Sequence, residues 1–424
     1  MNFSKLFLSS KRAFQLKKDN AERRLLFSPI LLIPLSLVTV SSFLIKSIQR
    51  DFLATDFISH LLTGFLGYFI AFFISFVPLE RVKKYSIPFY FFSLSTLIII
   101  YFFGISVSGA QRWIGFGIFS FQPSEVAKLS TILTLALFLD GKRIRKLKDL
   151  LFPFCIVIVP WLLIFFQPDL GTSLVLIVLT FVMLYWSQMP IEWLLISNLC
   201  SVTAILYFLI PGFLVFWIPF MGYLGYRSSE KKVIFSGLAI FLHLLVAKLT
   251  PFLWEFGLKE YQKDRLILFL EPSRDPLGGG YHLLQSKIAI GSGGFWGTGL
   301  LRGKLTYLQF IPEQHTDFIF SALGEELGFF GCVSVLFLFF ILISKLIKIA
   351  KNARTDFESL IVIGIASIFL FQIVINLFMT IGLGPVTGIP LPFMSYGRTS
   401  LLINFIFIGL ALSIYKRSRT LRKL

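Results

Sequence analysis

Charge and sulfur are scarce in this sequence. Only 15% of the 424 residues are charged, and three cysteines and four histidines are scattered along the chain. A soluble globular domain carries about 25% charged residues, so this composition excludes an ordinary soluble protein. Cys155, Cys200 and Cys332 have no metal-ligand spacing and no evident pairing, which favours small buried side chains over a zinc site or a disulfide framework.

Acidic residues are also few, with 22 Asp and Glu against 40 Lys and Arg, and the formal net charge is +18. The basic residues fall in short clusters between apolar runs, which is typical of loops at a membrane surface and argues against a nucleic-acid partner. Residues 1–26 lack the apolar core of a cleaved signal peptide, so the first apolar run is expected to direct insertion.

Apolar residues make up most of the chain. Hydrophobic residues account for 56% of it, 51 residues are Phe, and the mean hydropathy is +0.82. Many apolar runs are about 17–25 residues long, which is enough for one helical crossing of a bilayer. We predict an all-α polytopic membrane protein with one membrane domain at 27–416, between basic cytoplasmic tails at 1–26 and 417–424. The twelve predicted spans are 27–47, 57–78, 86–104, 123–139, 150–167, 171–188, 192–210, 212–225, 232–253, 318–344, 357–381 and 400–416.

Basic clusters, from Lys11–Arg24 to Lys416–Lys423, precede the first predicted span and follow the second, fourth, eighth, tenth and twelfth. Because such clusters stay in the cytoplasm, both termini are predicted to be cytoplasmic, and segments 105–122, 254–317 and 382–399 are predicted to face outward. No inverted repeat of the kind that many transporters show is evident in the sequence. The polar segments, and with them any chemistry, are therefore expected at the outer face.

The first candidate group surrounds the start of the span at 123–139. Pro123 suits a first helical turn, and Glu125 and Lys128 are three residues apart on one helical face, where they can neutralise each other. This spacing fits a structural ion pair and a functional one equally well. Arg112, just before the span, can bind a phosphate bidentately or simply extend its charge to the membrane surface.

Two outer turns carry further candidates. Asp169 lies between two apolar runs near the expected membrane boundary, where it can cap the next helix or serve in a site. Ser395 lies in the turn-rich stretch 388–400, which is typical of a broken helix entering the outer half of the membrane. Its hydroxyl can cap the last span or line a groove.

The outer segment 254–317 is the longest polar stretch, and loops of that length are usually functional. It contains Arg265, then Asp275 ahead of three glycines, then His315 between two nearby carboxylates. Spacing alone favours a turn residue at Asp275. No second histidine follows at zinc-ligand spacing, whereas clustered carboxylates can hold a hard cation, Mg²⁺ or Mn²⁺, when phosphates supply the other ligands.

These segments together closely resemble the SEDS family (shape, elongation, division and sporulation proteins), which polymerises peptidoglycan from lipid II. The resemblance runs from about Gly109 to Ser400. Within the family, the stretch from Tyr281 to Gly294 is more similar to the elongation members than to the division members. Two features depart from the family pattern: Arg398 follows Gly397 where a second glycine is usual, and region 174–260 is about two spans longer than the usual ten-span fold.

The resemblance also implies which residues act. Asp275 matches the essential outer-loop aspartate of the family, so the resemblance replaces the interpretation of Asp275 as a turn residue. Glu125, Lys128 and Asp169 match the conserved polar residues that line a central cavity in the family. The candidate substrate-binding residues are Glu125, Lys128, Asp169, Arg112, Arg265, His315 and Ser395.

The implied reaction is that of a peptidoglycan glycosyltransferase: the 4-hydroxyl of one lipid-linked disaccharide attacks the anomeric carbon of another, with inversion, and expels a polyprenyl diphosphate. We expect Asp275 to act as the general base. We expect Arg112, Lys128, Arg265 or a divalent cation to stabilise the leaving diphosphate. The implied partner is a class B penicillin-binding protein, a transpeptidase.

Two alternatives stay open at this point. A lipid II flippase predicts charges distributed across the bilayer, whereas here they concentrate near the outer boundary. A non-catalytic scaffold that recruits the transpeptidase predicts that Asp275 is dispensable.

Overall fold

The computed structural model describes residues 28–49, 55–107, 110–116, 119–228, 231–258, 260–270, 279–308, 310–311 and 314–421. These residues form helices joined mostly by short turns, with one small antiparallel sheet. The helices are α1 Pro29–Ile48, α2 Thr55–Ile74, α3 Leu79–Phe103, α4 Pro123–Leu139, α5 Lys148–Phe166, α6 Leu170–Trp186, α7 Ile191–Asn198, α8 Cys200–Leu209, α9 Leu214–Arg227, α10 Lys232–Phe252, α11 Glu260–Leu270, α12 Gly279–Ser292, α13 Lys304–Tyr307, α14 Ile319–Lys351, α15 Asp356–Ile381 and α16 Arg398–Leu421. The strands are β1 Ile105–Val107, β2 Ala110–Phe116 and β3 Phe119–Phe121.

Each apolar run that predicted a span coincides with a helix or, for α7 and α8, with two consecutive helices. In the described part of the chain, nine helical stretches are long and apolar enough to cross a membrane. Helices α4, α6 and α9 are shorter, with 17, 17 and 14 residues. Helices α4 and α6 pack against α15, and most residues of α4 are buried, so neighbouring helices shield them from lipid. The predicted all-α polytopic membrane fold is confirmed.

The two ends of the bundle differ. At one end, here called the basic end, short turns are fastened by ion pairs such as Lys83 Nζ to Asp140 Oδ2 at 2.5 Å and Arg417 Nε to Glu358 Oε1 at 3.4 Å. At the other end, here called the loop-rich end, α3 leads into the sheet, α5 turns into α6, and α15 leads into the segment 382–397. The predicted outer segments therefore collect at one end.

The region predicted to be about two spans longer, 174–260, contains α9 and α10, which pack closely side by side. A Cβ atom at Gly222 would lie 2.6 Å from Ile240 Cγ1, and one at Gly225 would lie 2.6 Å from the carbonyl oxygen of Phe235. Small residues at this contact allow the two backbones to approach, which drives helix association in lipid. A five-residue π-helical turn, Leu253–Gly257, then extends α10 toward α11.

A small three-stranded sheet lies at the loop-rich end of the helical bundle. β1 pairs with β2, and β2 pairs with β3, both antiparallel. Its residues include Ile105, Val107, Trp113, Ile114 and Phe121, which are of the β-branched and aromatic types that favour strands.

Residues 285–299 form the end of α12 and a glycine-rich turn. The chain from 293 to 306 is fastened to the start of α14: Glu325 accepts hydrogen bonds from the backbone N–H groups of Leu305 and Thr306, both at 2.8 Å. A buried carboxylate that accepts several N–H bonds holds a loop firmly without a cation.

The histidines within the spans are hydrogen-bonded packing residues. His60 Nε2 lies 2.9 Å from Ser41 Oγ, and His243 Nδ1 lies 2.6 Å from Thr203 Oγ1. The prediction of buried cysteines is wrong for Cys155, which is exposed on α5, while the other two are half-buried. A helix face toward lipid is already in an apolar solvent, so a thiol there gains nothing from protein burial.

Candidate functional site

The turn before α6 places Asp169 at the loop-rich end. Asp169 is the N-cap of α6: its carboxylate accepts hydrogen bonds from the N–H of Thr172 at 3.1 Å and from the Thr172 hydroxyl at 2.9 Å. Arg112, on β2, donates to the carbonyls of Gln167 and Pro168 in the same turn. Asp169 therefore caps α6, which is one of its two sequence interpretations, and the Arg112 guanidinium donates to the turn carbonyls. Substrate contact by either residue stays a prediction.

The ion pair predicted at the start of α4 is present. Lys128 Nζ lies 2.7 Å from Glu125 Oε1, and both side chains are buried, with 1% and 4% of their surfaces exposed. The other carboxylate oxygen of Glu125, Oε2, has no hydrogen-bond partner among the described residues. The two opposite charges thus offset each other, but Glu125 Oε2 accepts no hydrogen bond from any described residue. An unpaired oxygen is unusual for a group buried this deeply.

Asn376, which the sequence analysis did not single out, joins the segments of the loop-rich end. Its amide nitrogen donates to the carbonyls of Asp317, at 3.0 Å, and of Ile389, at 2.9 Å. A Cβ atom at Gly171 would lie 2.9 Å from Ile389 Cγ1, so the start of α6 packs directly on the same segment. The turn of Asp169, the start of α14 and the segment 382–397 are thereby brought together.

Arg265 reaches this cluster from α11. A Cβ atom placed on Gly388 would lie 3.6 Å from Arg265 Nη1 and 3.4 Å from Asp317 Oδ2. The guanidinium and the carboxylate therefore approach the same point of the segment 382–397. Gly388 has φ of +71°, a left-handed conformation that glycine adopts without a steric penalty.

His315 and Ser395 also lie here, but in mainly structural contacts. The carbonyl of His315 accepts from the N–H of Tyr396 at 2.9 Å, and the two rings lie 5.7 Å apart. The Tyr396 hydroxyl donates to Asp56 Oδ1 at 3.0 Å, which ties the segment to α2. Ser395 Oγ accepts from the N–H of Leu391 at 2.8 Å and closes a local turn. Substrate contact by either residue stays a prediction.

The depth of these groups differs along the bundle. A Cβ atom at Gly364 would lie 3.1 Å from Met183 Sδ and 3.2 Å from Ile132 Cγ2, so α4, α6 and α15 meet at this level. With a rise of 1.5 Å per residue, Glu125 lies roughly 10 Å and Asn376 roughly 18 Å from this level toward the loop-rich end. The buried ion pair therefore lies well below the cluster formed around Asn376.

Sequence reasoning missed the amides of α15. Gln372 and Asn376 are both buried, and one oxygen of each has no partner among the described residues. The indication was present in the sequence: two amides four residues apart interrupt an otherwise apolar run and share one helical face. Apolar length was used there to assign a span, and the polar exceptions inside it were not considered.

Asp275, the predicted catalytic residue, lies outside the described residues, so its assignment stays a prediction. The chain enters residues 271–278 from α11 and leaves them into α12. These two helices pack against each other, and α12 also packs against α14 and α15. The flanks of the predicted catalytic segment are therefore anchored beside the cluster described above.

Comparison with known proteins identifies the chain. The family model described as "Cell cycle protein", which covers FtsW, RodA and SpoVE, matches residues 23–218 and 232–420. The chain belongs to this family. It is therefore a member of the SEDS family, as the sequence motifs predicted. The interruption at 219–231 takes in most of α9 and the link to α10.

Curated relatives and a solved structure agree with this assignment. The chain is 35% identical to peptidoglycan glycosyltransferase MrdB of Escherichia coli (strain K12), over 79% of the chain and 78% of the relative. It is 37% identical to peptidoglycan glycosyltransferase RodA of Treponema pallidum (strain Nichols), over 76% of the chain and 81% of the relative. It also matches a chain of a peptidoglycan synthase complex that coordinates polymerization and crosslinking, with a TM-score of 0.69, 29% identity, and coverage of 92% of this chain and 97% of that one.

Proposed function

We propose that this SEDS protein is a peptidoglycan glycosyltransferase that polymerises lipid II into β-1,4 glycan strands, with inversion, in support of cell elongation and shape. The observation that carries the proposal is the convergence of Arg265, Asp317, Asn376 and Asp169 at the loop-rich end of a bundle that is otherwise apolar. A polar site at one end of an apolar bundle suits a substrate with a sugar head and a polyprenyl tail. The names of the curated relatives support the same activity.

In the proposed reaction, Asp275 takes the proton of the acceptor 4-hydroxyl as that oxygen attacks the anomeric carbon of the donor. The bond from that carbon to the diphosphate oxygen breaks, and the polyprenyl diphosphate leaves with the electron pair. A positioned base of this kind contributes about 10²–10⁴ to the rate. Inversion needs no covalent sugar intermediate, so no second carboxylate acts as a nucleophile.

A divalent cation, Mg²⁺ or Mn²⁺, remains a proposal. In the described part of the chain there is no group of three or more His, Cys, Asp or Glu side chains placed to share an ion. Asp275 and Glu313 lie outside that part. The described residues do not by themselves fit a metal centre, so no step of the proposed reaction passes through one.

A crosslinking enzyme is the proposed partner. The solved complex that this chain resembles coordinates polymerization with crosslinking. We propose that a class B penicillin-binding protein binds this chain in the membrane and supplies transpeptidation. Linking the two enzymes would deliver nascent strands directly to the second active site.

The proposed location is the cytoplasmic membrane, with both termini in the cytoplasm and the loop-rich end outside. We expect a cysteine at Ser292 to react with an impermeant maleimide in intact spheroplasts, and a cysteine at Asn352 to react only after lysis. Both positions are in described helices or turns at opposite ends of the bundle, and the basic clusters set the orientation. The three native cysteines are first replaced by serine. Labelling of both positions from the same side would refute this topology.

The activity is tested by incubating purified protein with purified lipid II, alone and with its transpeptidase partner, and resolving the glycan products on a gel. We expect strands from the complex. A second arm with lipid II in sealed vesicles measures translocation. Translocation without polymerisation would favour the flippase, and polymerisation by the partner complex regardless of Asp275 would favour the scaffold.

A further inference from the structure

The link after α15 is bracketed by two glycines, each with a basic side chain against it. Gly382 and Gly388 have φ of +77° and +71°. A Cβ atom at Gly382 would collide with Cε and Nζ of Lys287, and one at Gly388 would lie 3.6 Å from Arg265 Nη1. Lys287 comes from α12 and Arg265 from α11, the helices on either side of the predicted catalytic segment 271–278.

The cations predicted to stabilise the leaving diphosphate already have partners within the protein. Arg112 donates to carbonyls of the turn before α6. Lys128 is buried, roughly one helical turn below Glu125, and forms an ion pair with it. The Arg265 guanidinium approaches the same point as the Asp317 carboxylate. Lys128 and Arg265 therefore each lie near a carboxylate, and the Arg112 guanidinium already donates to two carbonyls.

Lys287 differs from these three cations in its surroundings. Its side chain is exposed, and its ammonium makes no hydrogen bond or ion pair with any described residue. It lies at the carbonyl end of α15, where the helix dipole favours a cation without using its N–H donors. No described residue therefore accepts from the three N–H donors of this ammonium, which lies beside the end of α15.

We propose that Lys287 binds the diphosphate of the polyprenyl-diphosphate sugar donor, with Arg265 on the other side of the link 382–388. This rests on the proposed function and names the residue that stabilises its leaving group. When the anomeric C–O bond breaks, the electron pair stays on the diphosphate oxygen, and the fixed ammonium stabilises the added charge. The acceptor proton goes to Asp275, so Lys287 keeps its own protons.

Gly382 gives the proposal a structural basis beyond one exposed lysine. Its left-handed φ ends α15, and its missing Cβ leaves room for the Lys287 stem to lie across the helix end. The stem is thereby held in one place, which lowers the entropy that a lysine loses on binding a ligand. A lysine that only stabilised the helix end would need its charge but would not discriminate between ligands.

The test compares Lys287→Gln and Lys287→Arg with wild type, and uses Lys304→Gln as the matched control. Lys304 is an exposed lysine on α13. The backbone N–H of Leu305 in that helix donates to Glu325, which anchors α13 to α14 rather than to the link 382–388. The probe is farnesyl diphosphate, titrated into the purified full-length protein in detergent and followed by intrinsic fluorescence. Farnesol serves as the uncharged reference ligand.

We expect Lys287→Gln to weaken farnesyl diphosphate binding about tenfold, in line with one charge-assisted hydrogen bond, and to leave farnesol binding unchanged. Lys287→Arg and Lys304→Gln should stay within about threefold of wild type, since each keeps the charge at the site. An unchanged affinity in Lys287→Gln, or an equal loss in Lys304→Gln, overturns the proposal. Because binding needs no catalysis, a wild type that binds the probe through Lys287 but makes no glycan would refute the proposed function alone.

Discussion

Replacing Asp275 by Asn is expected to lower the rate of lipid II polymerisation by about 10²–10⁴-fold, the contribution of a positioned general base. Asparagine keeps the size of the side chain but cannot take up the proton of the acceptor hydroxyl. Binding of lipid II should change little, because the loss falls on the chemical step. The measurement is the initial rate of glycan formation by the complex with its transpeptidase, at matched protein amounts.

Asp264→Asn supplies the matched control for that experiment. Asp264 is an exposed carboxylate on α11, in the same outer segment, and the same change there removes one negative charge without touching the predicted base. We expect it to polymerise at nearly the wild-type rate. Equal activity of wild type and Asp275→Asn would make the aspartate structural and return the protein to the scaffold hypothesis. Equal loss in both variants would point to the general charge of the segment.

Much of the fold could be predicted because lipid restricts the choices. A backbone inside a bilayer must satisfy its own hydrogen bonds, so long apolar runs become helices, and basic clusters orient them. The same reasoning passes over features that depend on pairing between distant segments. The hydrogen bond from Tyr396 to Asp56 joins residues 340 positions apart, and no local pattern specifies it.

The candidate site was predictable in its residue types more than in its contacts. Glu125 and Lys128 are one helical turn apart, so the helix period alone sets their ion pair. Arg112 could have turned to a phosphate or to a carbonyl, and only the folded position of the turn at Gln167 decides between them. Lys287 was overlooked because its environment depends on a glycine 95 residues further along the chain.

Lys128→Met is expected to destabilise the protein by about 3–5 kcal/mol, because it leaves Glu125 buried without a counter-charge. Glu125→Gln leaves the lysine unpaired and should cost a similar amount. The double variant, Glu125→Gln with Lys128→Met, removes both charges and should recover part of the stability, since no buried charge is left unpaired and only the smaller cost of burying the introduced amide remains. Thermal unfolding of all four proteins in the same detergent measures the coupling.

The same four proteins separate a packing role from a functional one. Oε2 of Glu125 has no described partner although it is buried, so the carboxylate has an acceptor to offer besides its bond to Lys128. We therefore expect the double variant to fold but to polymerise lipid II at least about tenfold more slowly than wild type, the effect of losing one charge-assisted hydrogen bond. A stable double variant with wild-type activity would mean that the pair only neutralises itself. In that case the chemistry belongs entirely to the cluster around Asn376 and the outer segment that carries Asp275.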